Sequence, residues 1–506
     1  MIEPPYYPIV YLRGYAGTQG ELEATVSTPY MGFNVGSTRV RQLHTGEVLP
    51  YVFESPVIRL MKDHGYVDAY SDGRVLPQGP TPGRSIWIFR YYDVADDDFG
   101  DGRRREIEFH ARGLQRFLRH VRDAVLDEGE DPGRFRAYLV AHSMGGLICR
   151  CYLQNRDIPD LDGGRSTGWR GKGVDKVFTY GTPHEGIEFR RGLGWLEGLR
   201  DFLDPNNAGN FGPARMREFL DLPDDEPLNS LNGRYPAGRV FCLVGTDWRD
   251  YGAALGLSKR AAGPLSDGLV QIRNAAVRGA PRAFVHRSHG GHYGLVNSES
   301  GYQNLSRFLF GDTRVAVEMT DVEVVLPRRV ARAAAGRREV GVAYHIDTVF
   351  SVRGLPVELN RRAYSEGSAI FRTCEQLTGG PTKLFTAFLL RGARVVRRRR
   401  SSGFALRIEI RVPDYYAGGS RAGDYYEGGL LFVDKLNVEV AHAEDGRDRV
   451  KYGWDRRTPN RAPRDLPLAA DGGALVGTLP FGAPRRIRGN IRLTVTGWNT
   501  PSDGGD

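Results

Sequence analysis

One serine in the sequence stands where it could act as a nucleophile. Residues 137–140 are an apolar run typical of a strand, and A-H-S-M-G-G at 141–146 follows it and leads into an apolar helical pattern. A serine at a sharp strand-to-helix turn needs small neighbours, which Ala141 and Gly145 provide. Amides in the first turn of the next helix would stabilise an anionic oxygen. We therefore predict that Ser143 is a nucleophile.

The sequence around Ser143 resembles that of a known class of enzymes. A-H-S-M-G-G is similar to the nucleophile elbow of the small Bacillus-type lipases, and H-S-M-G-G is shared widely among lipase-type α/β-hydrolases. Residues 180–186, Y-G-T-P-H-E-G, resemble the G-T-P-H-x-G of many lipases, which implies that His184 shapes the pocket. The resemblance covers about residues 8–310. It implies a serine lipase or esterase of the α/β-hydrolase fold.

That fold places the base after the last strand, where three histidines follow one another. His286 lies in the predicted strand 283–287 and is predicted to be structural. The segment G-H-Y-G-L-V at 291–296 resembles the G-H-x-G-L-L around the base of Bacillus-type lipases, and a helix ending at 308–310 follows. The resemblance implies that His292 is the base. His289, on the same loop, remains the alternative.

Two aspartates compete for the acid, which comes between the nucleophile and the base in the chain. Asp267 lies in S-D-G-L-V, which is similar to the D-G-L-V at the acid of several bacterial lipases. Asp247 closes the apolar run 241–246 and remains the alternative. The acid would hold the imidazole in one tautomer and stabilise its protonated form. The resemblance favours Asp267.

The predicted first strand, residues 9–12, is followed by R-G-Y-A-G. In lipases this loop usually carries His-Gly, and the residue after the glycine donates its amide to the oxyanion. The resemblance implies that the amides of Tyr15 and Met144 form the oxyanion hole. Arg13 stands where the family has histidine, but the donors are backbone groups, so the hole should persist.

No cofactor is expected, and no metal site. Some bacterial lipases hold calcium through an aspartate two residues after the base, and Gly294 occupies that position here. Residues 187–238 are predicted to be an insertion similar to a lid or cap, with apolar side chains along 194–203 that could cover an acyl-binding cleft. An ordinary amphipathic helix packed on the core is an equally good reading of that stretch.

Strand-like and helical patterns alternate up to about residue 312, which predicts a mostly parallel sheet wrapped by helices in domain 1–312. A second insertion, roughly 18–78, is expected to hold one core helix and surface loops. Residues 313–506 instead hold short β-rich runs separated by turn residues. This pattern predicts an all-β, sandwich-like accessory domain.

The formal net charge of +9 is unevenly distributed along the chain. Residues 313–506 hold 32 Lys and Arg against 22 Asp and Glu, whereas residues 1–312 are nearly neutral. The C-terminal domain could therefore contact an anionic surface, for example through Arg397–Arg400, although such a run is more often a solvated loop. Specific binding of nucleic acid is not expected.

The sequence contains no apolar run of membrane-spanning length and no recognisable signal peptide at its start. A cytoplasmic location is the default expectation, with export by a non-classical route or a trimmed leader as alternatives.

Three hypotheses about function follow from these residues. The first is hydrolysis of carboxylic esters, with lipid acyl esters as the substrate class, through an acyl-enzyme on Ser143. The second is acyl transfer, in which an alcohol replaces water as the acceptor. The third is an interaction protein with a vestigial hydrolase core and a basic β domain. The complete set of candidate triad residues argues against the third.

Overall fold

The structure is a computed structural model, and it describes residues 2–14, 25–69, 81–95, 100, 105–187, 212–250, 265–335, 339–390, 401–419, 422–441, 449–455 and 463–499. Its contacts divide the chain into two compact units. The N-terminal unit comprises Met1–Arg282 and His286–Phe310, and the C-terminal unit comprises Ala283–Val285 and Gly311–Asp506. The catalytic and accessory roles expected for domains 1–312 and 313–506 stay predictions.

Strands and helices alternate through the first 310 residues. The strands are β1 (Ile9–Leu12), β2 (Ser37–Gln42), β3 (Val48–Phe53), β4 (Val67–Asp68), β5 (Ser85–Ile88), β6 (Ala137–His142), β7 (Val174–Tyr180), β8 (Val240–Gly245) and β9 (Arg282–Val285). The helices are α1 (Pro56–His64), α2 (Ile107–Val125), α3 (Met144–Gln154), α4 (Pro213–Leu220) and α5 (Glu299–Phe310).

Seven of these strands form one sheet in the order β4-β5-β1-β6-β7-β8-β9. Neighbours from β4 to β8 pair in parallel. Strand β1, I-V-Y-L, is buried along its whole length, and so is β5. Burial on both faces explains why these strands are continuous apolar runs. The predicted α/β-hydrolase fold is confirmed.

The element bounds depart from the sequence-based expectation at several elements. The predicted strand 283–287 is observed as β9, Arg282–Val285, so His286 follows the strand. The apolar residues of 85–91 also predict a strand over that range, but β5 ends at Ile88 and a short 3₁₀ helix follows at Tyr91–Ala95. The segment 18–78 holds the expected core helix, α1, whose first turn is capped by the Ser55 hydroxyl. It also holds an antiparallel hairpin of β2 and β3 that was not predicted.

The C-terminal unit consists mainly of antiparallel strands. Its strands are β10 (Thr313–Val324), β11 (Glu339–Val352), β12 (Glu358–Arg362), β13 (Ile370–Thr373), β14 (Thr382–Leu389), β15 (Ser401–Gly419), β16 (Ala422–Ala441), β17 (Arg449–Trp454), β18 (Arg464–Asp465), β19 (Ala469–Asp471), β20 (Ala474–Ala483) and β21 (Ile487–Gly497). Two short helices, α6 (Arg328–Ala335) and α7 (Cys374–Thr378), accompany them.

These strands form two sheets that pack face to face. The first sheet has the order β14-β10-β21-β20-β19, and the second has the order β12-β11-β15-β16-β17-β18 with β13 beside β11. Aromatic pairs join the sheets, Phe350 with Phe385 at 4.7 Å between ring centroids and Phe432 with Phe481 at 5.1 Å. The all-β, sandwich-like prediction is confirmed. Arg397–Arg400 lies outside the described residues, so contact with an anionic surface stays a prediction.

Within the described ranges, no helix combines the length and the apolar character that crossing a bilayer requires.

Candidate active site

Ser143 stands at the junction between β6 and α3, in a backbone conformation that few residues adopt. Its φ of 53° and ψ of −125° lie in a sparsely populated region, where non-glycine residues store strain. A Cβ on Gly145 would lie 2.7 Å from the main-chain oxygens of Leu12 and Arg13. The elbow can therefore approach the end of β1 only with glycine there, which explains the small residue that the sequence motif requires.

The hydroxyl of Ser143 is turned away from the helix that it begins. Ser143 occupies the N-cap position of α3, but its side chain makes no cap hydrogen bond. Its Oγ lies 2.9 Å from Nε2 of His289 instead. Ser143 is 6% exposed and His289 is 2% exposed, so this contact is largely shielded from water.

The other ring nitrogen of His289 meets Asp267. Nδ1 lies 2.8 Å from Oδ2 of Asp267, which is itself 1% exposed. The second carboxylate oxygen, Oδ1, accepts hydrogen bonds from the main-chain amides of Leu269 and Val270 at 3.1 and 2.8 Å. The D-G-L-V turn thus fixes the carboxylate so that Oδ2 faces the imidazole. Three side chains from separate parts of the chain form a continuous hydrogen-bonded array.

Main-chain contacts lock this array in place. The amide of His289 donates to the carbonyl of Asp267 over 2.8 Å, so these two residues are also joined through their backbones. Gly181, which follows β7, has a φ of 53°, and a Cβ there would lie 2.9 Å from Oδ2 of Asp267 and 3.1 Å from Nδ1 of His289. The glycine of the G-T-P-H-E-G segment therefore makes room for the side chains of Asp267 and His289.

The structure does not bring His292 to Ser143, because it is the ring of His289 that lies against the serine hydroxyl. The amide of Leu295 donates to the carbonyl of Ser288 over 2.9 Å and closes the loop between them. His289 lies at the buried start of this loop, whereas His292 lies on its exposed part, after Gly291 turns the chain with a φ of 86°. His292 lines a surface groove beside Tyr293 instead. The only sequence signal for His289 is that it lies nearer to the end of β9.

Asp247, the alternative acid, is placed against a different histidine. Its Oδ2 lies 3.8 Å from Nε2 of His286, and its Oδ1 accepts from the amide of Arg249 over 3.0 Å. His286 also lies 3.2 Å from the hydroxyl of Thr246. The structure thus brings Asp267, the preferred acid, to the array, and it holds Asp247 and His286 together outside it.

The loop after β1 lies directly against the elbow. A Cβ on Gly14 would be 2.7 Å from Cβ of Ser143. Arg13 is anchored on both sides, since its guanidinium donates to the carbonyl of Met31 and its own carbonyl accepts from the Tyr91 hydroxyl. Met144 begins α3 and is 7% exposed. Tyr15, the other expected oxyanion donor, lies outside the described residues, as do residues 194–203 of the predicted lid.

His142 is a residue at the site that the sequence interpretation did not assign. Its Nε2 donates to the main-chain oxygen of His289 over 2.9 Å, and the two rings lie 4.8 Å apart. Burial, reinforced by the neighbouring His289, holds the pKa of His142 well below its usual range. His142 is therefore a neutral donor with Nδ1 unprotonated. At the level of sequence, His142 was noted only as part of the A-H-S-M-G-G motif.

His184 packs inside the protein, and the resemblance to lipases had implied a role in shaping the pocket. It is fully buried, with Nε2 3.2 Å from the hydroxyl of Thr179, and burial holds its pKa well below its usual range. Its main-chain oxygen accepts from Arg150, a buried guanidinium that also donates to the carbonyls of Leu228 and Ser230. This arginine ties the loop after β7 to the chain that follows α4.

Comparison with known proteins finds likeness only among solved structures. No known protein-family model matches the chain, and no curated protein sequence matches it. A lipase of Bacillus licheniformis in its propeptide form is similar over 88% of this chain and 96% of its own, at 11% identity and a TM-score of 0.33. Phospholipase PlaB from Legionella pneumophila, in complex with thio-NAD, is similar over 79% of this chain and 84% of its own, at 12% identity and a TM-score of 0.29. Likeness at this level carries no argument about chemistry, which has to rest on the geometry of the site.

Proposed function

We propose that this chain is a serine hydrolase that cleaves carboxylic esters, with lipid acyl esters as its substrate class. One observation carries the proposal. The imidazole of His289 lies 2.9 Å from the hydroxyl of Ser143 and 2.8 Å from the carboxylate of Asp267, in a buried array. A hydroxyl, a base and a carboxylate in this order are what nucleophilic catalysis by serine requires.

In the proposed mechanism Ser143 is the nucleophile, His289 the general base and Asp267 the orienting acid. With Nδ1–H donated to Asp267, Nε2 of His289 carries a lone pair and takes the proton of Oγ as the oxygen attacks the ester carbon. The tetrahedral intermediate collapses and expels the alcohol, which receives that proton from His289. The products of this step are the acyl-enzyme and a free alcohol.

Water then attacks the acyl-enzyme through the same series of steps. His289 removes a proton from water, the hydroxide adds to the acyl carbon, and collapse returns the proton to Oγ of Ser143 as the carboxylic acid leaves. In both steps the negative oxygen needs amide donors at the start of α3 and in the loop after β1. We assign these to Met144 and Tyr15. If an alcohol took the place of water, the acyl group would be transferred from Ser143 to that alcohol.

The first test is hydrolysis of p-nitrophenyl esters from acetate to palmitate, together with labelling by a fluorophosphonate. Wild type should turn over the esters and label, whereas Ser143→Ala should do neither. Ser306→Ala, a buried serine on α5, is the matched control and should behave as wild type. The chain length with the highest kcat/KM identifies the acyl preference.

Equal activity in wild type and Ser143→Ala would overturn the nucleophile assignment. No turnover and no labelling in wild type would favour the vestigial-core hypothesis instead. Ester formation that exceeds hydrolysis when an alcohol is added would identify an acyltransferase.

A further inference from the structure

Arg13 and Gly14, which directly follow β1, lie against the turn that carries Ser143. A Cβ on Gly14 would lie 2.7 Å from Cβ of Ser143, and a Cβ on Gly145 would lie 2.7 Å from the main-chain oxygen of Arg13. This stretch of chain therefore has no room to move closer to the turn. Its distance from Ser143 depends on the contacts that hold it in place.

The hydroxyl of Tyr91 holds the main chain of both residues. It donates to the main-chain oxygen of Arg13 over 2.8 Å and lies 3.4 Å from that of Gly14. Tyr91 begins the short 3₁₀ helix after β5 and is 3% exposed, and its ring packs against Tyr92 and His110 with centroids 4.4 and 4.8 Å away. Burial raises the pKa of Tyr91 well above its usual range, so the hydroxyl stays protonated and remains a donor.

The side chain of Arg13 provides a second attachment. Its guanidinium donates to the main-chain oxygen of Met31. The loop that contains Met31 is held in turn by Arg90, whose guanidinium donates to the main-chain oxygen of Thr28 over 2.8 Å. Because Arg90 and Tyr91 are neighbours in the chain, these contacts form a closed circuit, which fixes the loop after β1 both at its main chain and at its side chain.

The position of this loop bears on the oxyanion hole of the proposed mechanism. The carbonyl of Gly14 and the amide of Tyr15, an assigned donor, belong to one peptide group, and in a trans peptide the two point in opposite directions. A hydroxyl that restrains the Gly14 oxygen therefore also restrains the direction of that amide. Donors that are aimed in advance at the developing charge stabilise the transition state without reorganisation, and a displacement of about 1 Å weakens that effect.

We propose that Tyr91 is a positioning residue for the oxyanion hole, because its hydroxyl fixes the main chain of Arg13 and Gly14 and so the amide that follows. Tyr91 touches no reacting atom in the proposed mechanism, so its effect falls on the transition state and not on the bound ester. The inference deepens the proposed function and rests on it. A tyrosine that served the fold alone would change stability and leave the turnover of folded protein unchanged.

The test compares Tyr91→Phe with Tyr138→Phe, which removes a buried hydroxyl of the same kind. Tyr138 is fully buried, and its hydroxyl donates to the main-chain oxygen of Pro5 over 2.6 Å and lies 3.4 Å from that of Leu309. The two variants should therefore show similar losses of Tm. We expect Tyr91→Phe to lower kcat on p-nitrophenyl acetate about tenfold or more with KM nearly unchanged, and Tyr138→Phe to keep kcat within about twofold.

Inhibition by a trifluoromethyl ketone separates the oxyanion hole from the base. Oγ of Ser143 adds to the ketone carbon and gives its proton to His289, which leaves a hemiketal with a negative oxygen in the hole. The inhibition constant should rise in Tyr91→Phe by about the factor by which kcat falls, while the pH profile of kcat keeps its shape. Arg13→Met cuts the attachment to Met31 instead and should move both quantities in the same direction, so the inference stays testable if Tyr91→Phe does not fold.

Equal kcat in Tyr91→Phe and Tyr138→Phe would overturn the inference, and so would a fall in kcat with an unchanged inhibition constant. A wild-type protein that neither turns over esters nor labels with a fluorophosphonate would overturn the proposed function, and the inference with it. A wild-type protein that labels at Ser143, beside a Tyr91→Phe variant with unaltered kcat, would overturn the inference alone.

Discussion

Nε2 of His142 donates a hydrogen bond to the main-chain oxygen of His289, so the residue before the proposed nucleophile holds the backbone of the proposed base. His142 is partly buried, and desolvation of its ring keeps it neutral because the pKa lies well below its usual range. His142 contacts no reacting atom in the proposed mechanism. It is a positioning residue, and its effect should appear in turnover more than in substrate binding.

His142→Ala should therefore lower kcat by about 10-fold to 100-fold and leave KM nearly unchanged, because misplacement of a base slows the chemical step. His142→Gln keeps a donor near the position of Nε2 and should recover most of the activity. The pH profile of kcat should keep its shape in both variants, since a neutral His142 does not titrate there. A purely structural role would instead give loss of folded protein in both.

Replacing His289 and His292 one at a time tests which of the two histidines is the base. His289→Ala removes the group that touches Ser143 and should lower kcat/KM by about 10³-fold or more. His292→Ala changes an exposed side chain, and it should keep kcat/KM on p-nitrophenyl acetate within about threefold of wild type. The reverse ranking would restore the assignment made from the sequence motif.

Much of the fold could be predicted because buried strands appear in the sequence as runs of apolar residues. Strand β1 was predicted at residues 9–12, its observed bounds, since a strand buried on both faces reads as an uninterrupted apolar run. The strands of the β2–β3 hairpin are not apolar runs of this kind. Its valines face solvent, so their alternation with Arg39 and Arg41 does not reflect a buried face.

The candidate site was predictable where chemistry constrains the local backbone. Ser143 and Asp267 lie in turns whose glycines and amides the geometry requires, and such turns produce recognisable motifs. The choice between His289 and His292 depends on how a loop closes between Ser288 and Leu295, which is a tertiary contact. Motif spacing cannot supply that information, so the motif favoured His292 although the structure places His289 against Ser143.

Asp267→Asn should retain the fold but impair turnover. An amide at this position can present its N–H to Nδ1 of His289 and favour the tautomer that places the proton on Nε2, where it cannot accept from Ser143. We expect kcat to fall by about 10³-fold to 10⁴-fold. Asp247→Asn is the matched control, since Asp247 faces His286, and it should retain activity within about threefold. Equal losses in the two variants would reject the assignment of the acid.

Gly181→Ala tests whether the glycine after β7 is needed for the acid–base pair. Gly181 and Gly65 both have a positive φ, 53° and 69°, so alanine should cost each about 1 kcal/mol of folding free energy. At Gly65 a Cβ meets nothing within 4 Å, whereas at Gly181 it meets Asp267 and His289. Gly65→Ala should therefore lower Tm alone, and Gly181→Ala should lower Tm and kcat together. If kcat on p-nitrophenyl acetate is unchanged in Gly181→Ala, the close approach has no catalytic consequence.

Lys176 should make the stability of the protein depend on pH. Its ammonium is buried, donates to the main-chain oxygen of Leu309 over 2.9 Å and lies 4.0 Å from Asp175. Burial lowers the pKa of Lys176 to about 7 in the folded protein. The unfolded chain keeps the ordinary value near 10, so between these values it binds more protons than the folded chain does. The free energy of unfolding should consequently rise with pH across that window.

The measurement is urea unfolding at pH 7, 8 and 9, followed by tryptophan fluorescence. Wild type should gain about 1–2 kcal/mol of unfolding free energy between pH 7 and 9 from this group, and Lys176→Met should lose that gain. Lys62→Met is the matched control, because Lys62 is 60% exposed and should leave the slope unchanged. If the slope in Lys176→Met equals that of wild type, then Lys176 is charged in the folded state at pH 9. Its hydrogen bond and its partner Asp175 would in that case offset the cost of burial.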